Sequence, residues 1–152
     1  MGDGARIATA ADAAVVAELL DAFNREFDTP TPGPAVLQRR LCHLLSGQEV
    51  YAVVAGEPVT GVALVTLRPN VWFDGPVALL DELYVVPPLR DQGIGTDLLH
   101  TAERVARERG CELFEVNVDG EDTDTRRFYE RHGYRCVEAG QSEPSLYYFR
   151  AV

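Results

Sequence analysis

The sequence predicts an α/β fold built on a mixed β-sheet flanked by helices. Three observations carry that expectation. Residues 79–86 form a nearly continuous apolar run, as expected of a strand buried on both faces. A glycine-punctuated turn, Arg90-Asp91-Gln92-Gly93-Ile94-Gly95, separates that run from an amphipathic stretch ending near Arg109. A second apolar run, 111–118, follows, completing a β-α-β order that makes the two strands parallel.

The other elements follow in order. Residues 6–10 read as a short first strand, and Asp12 then caps a helix with Val16, Leu19, Leu20, Phe23 and Phe27 at helical spacing. The Pro/Gly-rich stretch 29–34 breaks it, and a second helix over 35–45 carries Leu37, Leu41, Leu44 and Leu45. Strands at 50–55 and 59–67 flank Gly56-Glu57-Pro58 as a β-hairpin. Residues 69–76 are a loop with Trp72, Phe73 and Asp74. In the helix after the turn, Ile94, Leu98, Ala102 and Val105 share one side, and Gly110 ends it. A short helix over 125–132 stops at Gly133, and strands at 134–138 and 146–150 close the chain. At 152 residues, without repeats or a linker, the chain reads as a single domain, 1–152.

Composition narrows the function classes. A formal net charge of −10 disfavours nucleic acid and anionic membranes and favours a cationic partner. No apolar stretch is long enough to span a membrane and no secretory signal is visible, so a cytoplasmic location is expected. Cys42, Cys111 and Cys136 are odd in number, lack CxxC spacing and read as reduced, buried thiols. His43, His100 and His132 are scattered singly, as surface or capping residues are, and no metal site is expected. All 14 basic residues are arginine, which excludes a P-loop lysine and a Schiff-base lysine.

The 90–95 turn is suited to phosphate: a helix start presents unpaired N–H groups, glycines admit a close anion, and Arg90 adds charge. A dinucleotide fingerprint would need a third glycine where Leu98 stands. On the preceding strand, Asp81 and Glu82 are adjacent carboxylates in an apolar run, a costly placement that invites a functional reading. Strand alternation puts them on opposite faces.

Two segments in this order, Leu83-Tyr84-Val85-x-Pro87-x-x-Arg90-x-Gln92-Gly93-Ile94-Gly95 and RRFYERHGY at 126–134, resemble the signatures of the GNAT superfamily of acyl-CoA N-acyltransferases. The resemblance covers roughly 50–134 and implies the GNAT fold, with parallel strands 79–86 and 111–118 splayed to admit acetyl-CoA. It implies that Leu83, Tyr84 and Val85 pair through their backbone with the pantetheine arm. Arg90, Asp91, Gln92, Gly93, Ile94, Gly95 and Thr96 would hold the pyrophosphate, and Tyr129, beside Phe128, would protonate the departing thiolate. Asp81 is the implied base, Glu82 the runner-up, and Glu115 a further alternative. Many relatives have Asn and Ala where this chain has Asp122 and Thr125, so Asn117 or Asp124 would replace that cofactor contact.

The implied reaction is direct acetyl transfer to an amine, without an acyl-enzyme on cysteine. The acidic balance, with Glu26, Asp28, Trp72 and Asp74 in segments that border the acceptor side in relatives, points to a small cationic amine of polyamine, aminoglycoside or amino-sugar type. A protein N-terminal or lysine acetyltransferase and a non-catalytic acyl-CoA sensor are the alternatives. Homodimers are common in the family, so self-association is compatible with this reading.

Overall fold

The computed structural model describes residues 4–152, which divide into two compact units at Val116. The first unit opens with strand β1, Arg6–Ile7, which pairs with β2 and then gives way to a single 3-10 turn. Helices α1 (Ala13–Glu26) and α2 (Pro34–Leu45) follow, then strands β2 (Val50–Ala55), β3 (Gly61–Arg68) and β4 (Val77–Val85). Helix α3 spans Ile94–Glu108 and strand β5 spans Phe114–Val116.

The entry to α1 is fixed by a carboxylate. Asp12 accepts the Thr9 N–H at 2.8 Å and two guanidinium N–H groups of Arg6 at 2.9 Å each. That paired hydrogen bonding to Arg6 holds the Asp12 pKa down at about 2. Beyond it, Ala13, Val16, Ala17 and Leu19 are buried, and with Leu41 of α2 they pack on Ala52, Val54, Val62 and Tyr84 of the sheet. The other sheet face takes α3, whose Leu98, Leu99, Ala102 and Val105 are buried. There the Tyr51 hydroxyl donates to the Ala102 carbonyl at 2.6 Å, tying β2 to α3. With helices on both faces, all six residues of β2 are buried.

Strand order is β1-β2-β3-β4-β5, with the first four antiparallel and β5 parallel to β4. The β4–β5 ladder has three pairs, Ala78 with Phe114, Leu79 with Glu115 and Leu80 with Val116. β4 continues to Val85 beyond the point where this ladder ends, so the expected parallel pair is present and short. Beside β4, the loop 69–76 is held by Asn70, whose side-chain oxygen accepts the Trp72 and Phe73 N–H groups at 2.8 Å each. Its Gly75 lies against the end of α3: a Cβ there would stand 2.0 Å from the Gly110 carbonyl oxygen, so only glycine fits.

The second unit holds α4, Thr123–Arg131. The strands expected at 134–138 and 146–150 do not form; residues after α4 are turns and extended chain. Alternation supplies a strand's pattern, but a ladder also needs a partner edge in register. Leu146, Tyr147, Tyr148 and Phe149 remain exposed, with the Tyr147 and Phe149 rings stacked at 5.9 Å. The cysteine expectation holds for Cys111 alone, since Cys42 and Cys136 are exposed free thiols. Cys42 lies on the outer side of α2, and Cys136 lies in the strand-free segment after α4, where its carbonyl accepts the Ser145 N–H at 2.7 Å.

Asp12 stands at the N-cap position of α1, but its carboxylate makes no hydrogen bond into that helix; its bonds to Arg6 and the Thr9 N–H give a stability test instead. Its pKa is depressed in the folded state, so its contribution is present above the unfolded carboxylate pKa near ~4 and is lost as pH falls toward 2. Asp12→Ala, which removes the acceptor for Arg6 and the Thr9 N–H, is expected to destabilise the protein by about 1 kcal/mol at pH 7. In urea denaturation the gap from wild type should shrink below roughly pH 4.

Candidate active site

β4 carries the site's first component. Between Leu64 and Val65 the β3–β4 register shifts: Leu64 faces Glu82, Val65 faces Leu80, and Asp81 has no partner on β3. The extra residue is a β-bulge, a feature that re-aims side chains. Thr66, opposite Leu79, donates its hydroxyl to the Asp81 carboxylate, which sets Asp81 on the Thr66 face. Leu64 shares that face by alternation, and Glu82 stands opposite Leu64. Both carboxylates therefore lie on the α1/α2 side of the sheet, and the opposite-face expectation is corrected by the bulge.

Desolvation raises the pKa of Asp81, and the Thr66 hydrogen bond partly counters it. Glu82 is raised by desolvation first and by the neighbouring Asp81 charge second. Two adjacent carboxyl groups raised in this way retain protons to higher pH than isolated ones and are suited to proton transfer. Glu115, the alternative base, is 3.6 Å from the Arg68 guanidinium and reads as the outer half of an ion pair.

Past the carboxylates, Leu83, Tyr84 and Val85 finish β4, beyond the end of the β4–β5 ladder. The turn that follows is built by left-handed residues: Asp91 has φ 62° and Gly93, the N-cap of α3, has φ 87°. Gly93 has no side chain to cap the helix, so no N-cap side chain takes the amides at the start of α3. A Cβ at Gly93 would meet nothing within 4 Å, so backbone conformation and not crowding requires glycine there.

Arg90 does not stand free. Its Nη2 is 2.8 Å from Glu26 Oε1, its Nε donates to the Val85 carbonyl at 2.9 Å, and its guanidinium lies 5.4 Å from the Tyr84 ring centroid. The Tyr84 hydroxyl is 3.4 Å from the same Glu26 oxygen, and the Tyr84 ring stacks on Phe23 at 5.0 Å. The charge expected to face a phosphate is thus engaged by Glu26, and Glu26 in turn is engaged by Arg90. No sequence signal joins these residues, which are 64 positions apart.

In the second unit, Tyr129 on α4 is buried, at 6% exposure. Its ring meets those of Phe128 at 5.1 Å and Tyr134 at 5.6 Å, both edge-on. Burial raises its pKa, and Asp122 adds to the effect, so the hydroxyl is protonated at neutral pH. Asp122 is the N-cap of α4: it accepts the Thr125 N–H at 3.1 Å and the Thr125 hydroxyl at 2.6 Å. The two residues that depart from the family pattern pair with each other, which the local Asp-x-x-Thr spacing could have revealed. Asn117 is exposed, and exposed Asp124 lies 3.6 Å from Arg127. His132 fits the capping expectation, with Nδ1 2.7 Å from the Phe128 carbonyl. Among the described residues no group of His, Cys, Asp and Glu could hold a metal ion.

The model of the Acetyltransferase (GNAT) family matches residues 14–134. This chain belongs to the GNAT family. It is similar to the crystal structure of a candidate acetyltransferase from Arthrobacter sp. FB24, with 53% identity and a TM-score of 0.92 over 97% of this chain and 95% of that one. It is 46% identical to the aminoalkylphosphonate N-acetyltransferase of Salmonella typhimurium over 37% of this chain and 36% of that protein. It is 36% identical to the aminoglycoside N(6')-acetyltransferase type 1 of Klebsiella aerogenes over 51% of this chain and 56% of that protein. The matches span about a third to just over half the length of these two curated relatives. GNAT enzymes use acetyl-CoA, and no helix among the described residues is long and apolar enough to cross a membrane.

The Thr66 contact can be tested directly. Thr66→Val removes the donor that favours ionised Asp81, so the Asp81 pKa is expected to rise further. A carboxyl-carbon NMR titration of wild type and variant would read that shift; an unchanged or lower pKa would contradict it.

Proposed function

We propose that this GNAT protein transfers the acetyl group of acetyl-CoA directly to the amine of a small cationic molecule. The carrying observation is the bulge on β4, which sets Asp81 and Glu82 together where β4 runs on past β5 and toward the amide-bearing turn. The family resemblance supports the cofactor assignment. Backbone groups of Leu83, Tyr84 and Val85 bind the pantetheine arm as an added strand would. Amides from Asp91 to Thr96, including those of Gln92, Gly93, Ile94 and Gly95, hold the pyrophosphate. Arg90 contributes through the turn's geometry, and Asn117, Asp124 and Phe128 belong to the cofactor side in the second unit.

Asp81, with Glu82 beside it, removes a proton from the substrate ammonium, leaving a neutral amine. Its nitrogen attacks the thioester carbonyl, a C–N bond forms, and the C–S bond breaks as the tetrahedral species collapses. Tyr129 gives its hydroxyl proton to the leaving thiolate and is restored by the proton released from the amine. A phenol with a raised pKa is a weak acid, so this step requires that the same desolvation raise the thiolate.

The cationic acceptor is favoured by the net charge of −10 and by Asp28 and Asp74 on loops of the first unit, with exposed Trp72 on the same loop as Asp74. Aminoglycoside and aminoalkylphosphonate acetylation by the two named relatives places small amines within the family's range. Glu26, committed to Arg90, is not part of that selection.

Two kinetic outcomes follow. Tyr129→Phe should lower kcat by about 100-fold with the acetyl-CoA KM little changed, read as CoA thiol release; an unimpaired variant would remove Tyr129 from the mechanism. For the wild type, kcat/KM for the amine should fall on the acid side through a pKa above the ordinary carboxylate value of ~4, because the base must be ionised. Asp81→Asn should suppress the rate across the profile and displace that limb, whereas a wild-type profile would exclude Asp81 as the base.

A further inference from the structure

We infer that Glu26, at the end of α1, is a positioning residue for the cofactor turn and acts on it through Arg90. The inference rests on the acyl-CoA reading of that turn. Three elements converge on the residue that starts it. Glu26 of α1 takes Arg90 Nη2 at 2.8 Å, Val85 at the end of β4 takes Nε at 2.9 Å, and the Tyr84 ring lies under the guanidinium. Glu26 also faces the Tyr84 hydroxyl at 3.4 Å, and Phe23, one turn earlier on α1, stacks on the Tyr84 ring. The arrangement is a clasp between the last turn of α1, the end of β4 and the first residue of the turn.

The turn needs such a clasp. Asp91 adopts φ 62°, a left-handed conformation that Asp tolerates better than most non-glycine residues and that still costs backbone energy, and Gly93 adopts φ 87° two residues on. Helix α3 fixes the far end of this segment. At the near end Arg90 is extended, with φ −68° and ψ 160°, and the contacts that fix it are those to Val85, Tyr84 and Glu26. A guanidinium engaged by a carboxylate brings little net charge to an incoming pyrophosphate. Its effect is to hold the amides of the turn in the conformation that binds one, which lowers the reorganisation needed on binding. Because Glu26 is also the last residue before the loop that leads to α2, the same clasp ties that loop's origin to the cofactor turn.

The test compares wild type, Glu26→Ala, Glu26→Gln, Arg90→Met and the Glu26→Ala/Arg90→Met double variant. CoA binding is measured by calorimetry, and acetyl-CoA KM and kcat by steady-state kinetics. Glu26→Ala and Arg90→Met should each weaken CoA binding and raise the acetyl-CoA KM by about 10-fold, and the double variant should be no worse than the weaker single one. Turnover at saturating acetyl-CoA should stay within about 2-fold, and Glu26→Gln, which keeps an acceptor, should recover most of the affinity. A role confined to stability would instead move the melting temperature while leaving KM in place. The inference is overturned if Glu26→Ala binds CoA like wild type, or if the two single effects multiply, since Arg90 would then act on the phosphate independently of Glu26. Wild-type protein that fails to bind CoA would overturn the acyl-CoA reading itself, and this inference with it.

Discussion

One extra residue in β4 decides where two adjacent carboxylates of this protein stand. With Leu64 paired to Glu82 and Val65 to Leu80, Asp81 is pushed out of the ladder. The consequence is geometric before it is electrostatic. A regular strand would send Asp81 and Glu82 to opposite sides, one toward α3 and one toward α1 and α2. The bulge brings both to the α1/α2 side, where each is desolvated and Glu82 also senses the charge of its neighbour. A bulge also bends its strand and sharpens its twist. Here it falls one residue after the last β4–β5 pair, Leu80 with Val116. The carboxylate pair and the end of the β4–β5 ladder therefore fall at adjacent residues of β4.

In the proposed function, chain order from that point is also functional order. β4 carries carboxylates, then backbone beyond the end of the β5 ladder, then a turn with amides at the start of α3. Reaction chemistry, an extended arm and an anion can thus be served by consecutive stretches of a single strand-turn-helix unit. The rest of the first unit keeps that unit rigid. Helices on both sheet faces bury β2 entirely, Tyr51 ties β2 to α3, and Gly75 admits the 69–76 loop against Gly110.

Local features were legible in the sequence, and features that depend on a distant partner were not. The α1, α2 and α3 helices, the β2–β3 hairpin and the 90–95 turn lie where apolar spacing and glycine placement put them. The left-handed φ of 87° at Gly93 is a requirement that only the structure reveals. By contrast, the faces of Asp81 and Glu82 depend on a register shift against β3, which alternation along β4 cannot encode. Arg90 looked like a free cation because its partner, Glu26, lies on another helix. Residues 146–150 have strand-like composition and still form no strand, since composition does not supply a partner edge. The Asp122–Thr125 pair is the opposite case, a local capping signal masked by comparison with a family pattern.

The claim that matters most is that this molecule moves acetyl groups onto amines and does not merely bind acyl-CoA. Its most direct test is a panel of amines, cationic, neutral and anionic, incubated with acetyl-CoA while free CoA thiol is followed and acetylated product is identified by mass. The account predicts thiol release matched one-to-one by N-acetylation, with the highest kcat/KM for a small cationic amine. Binding of CoA without turnover on any amine would contradict the transferase reading, and preference for an anionic or neutral amine would contradict the acceptor assignment.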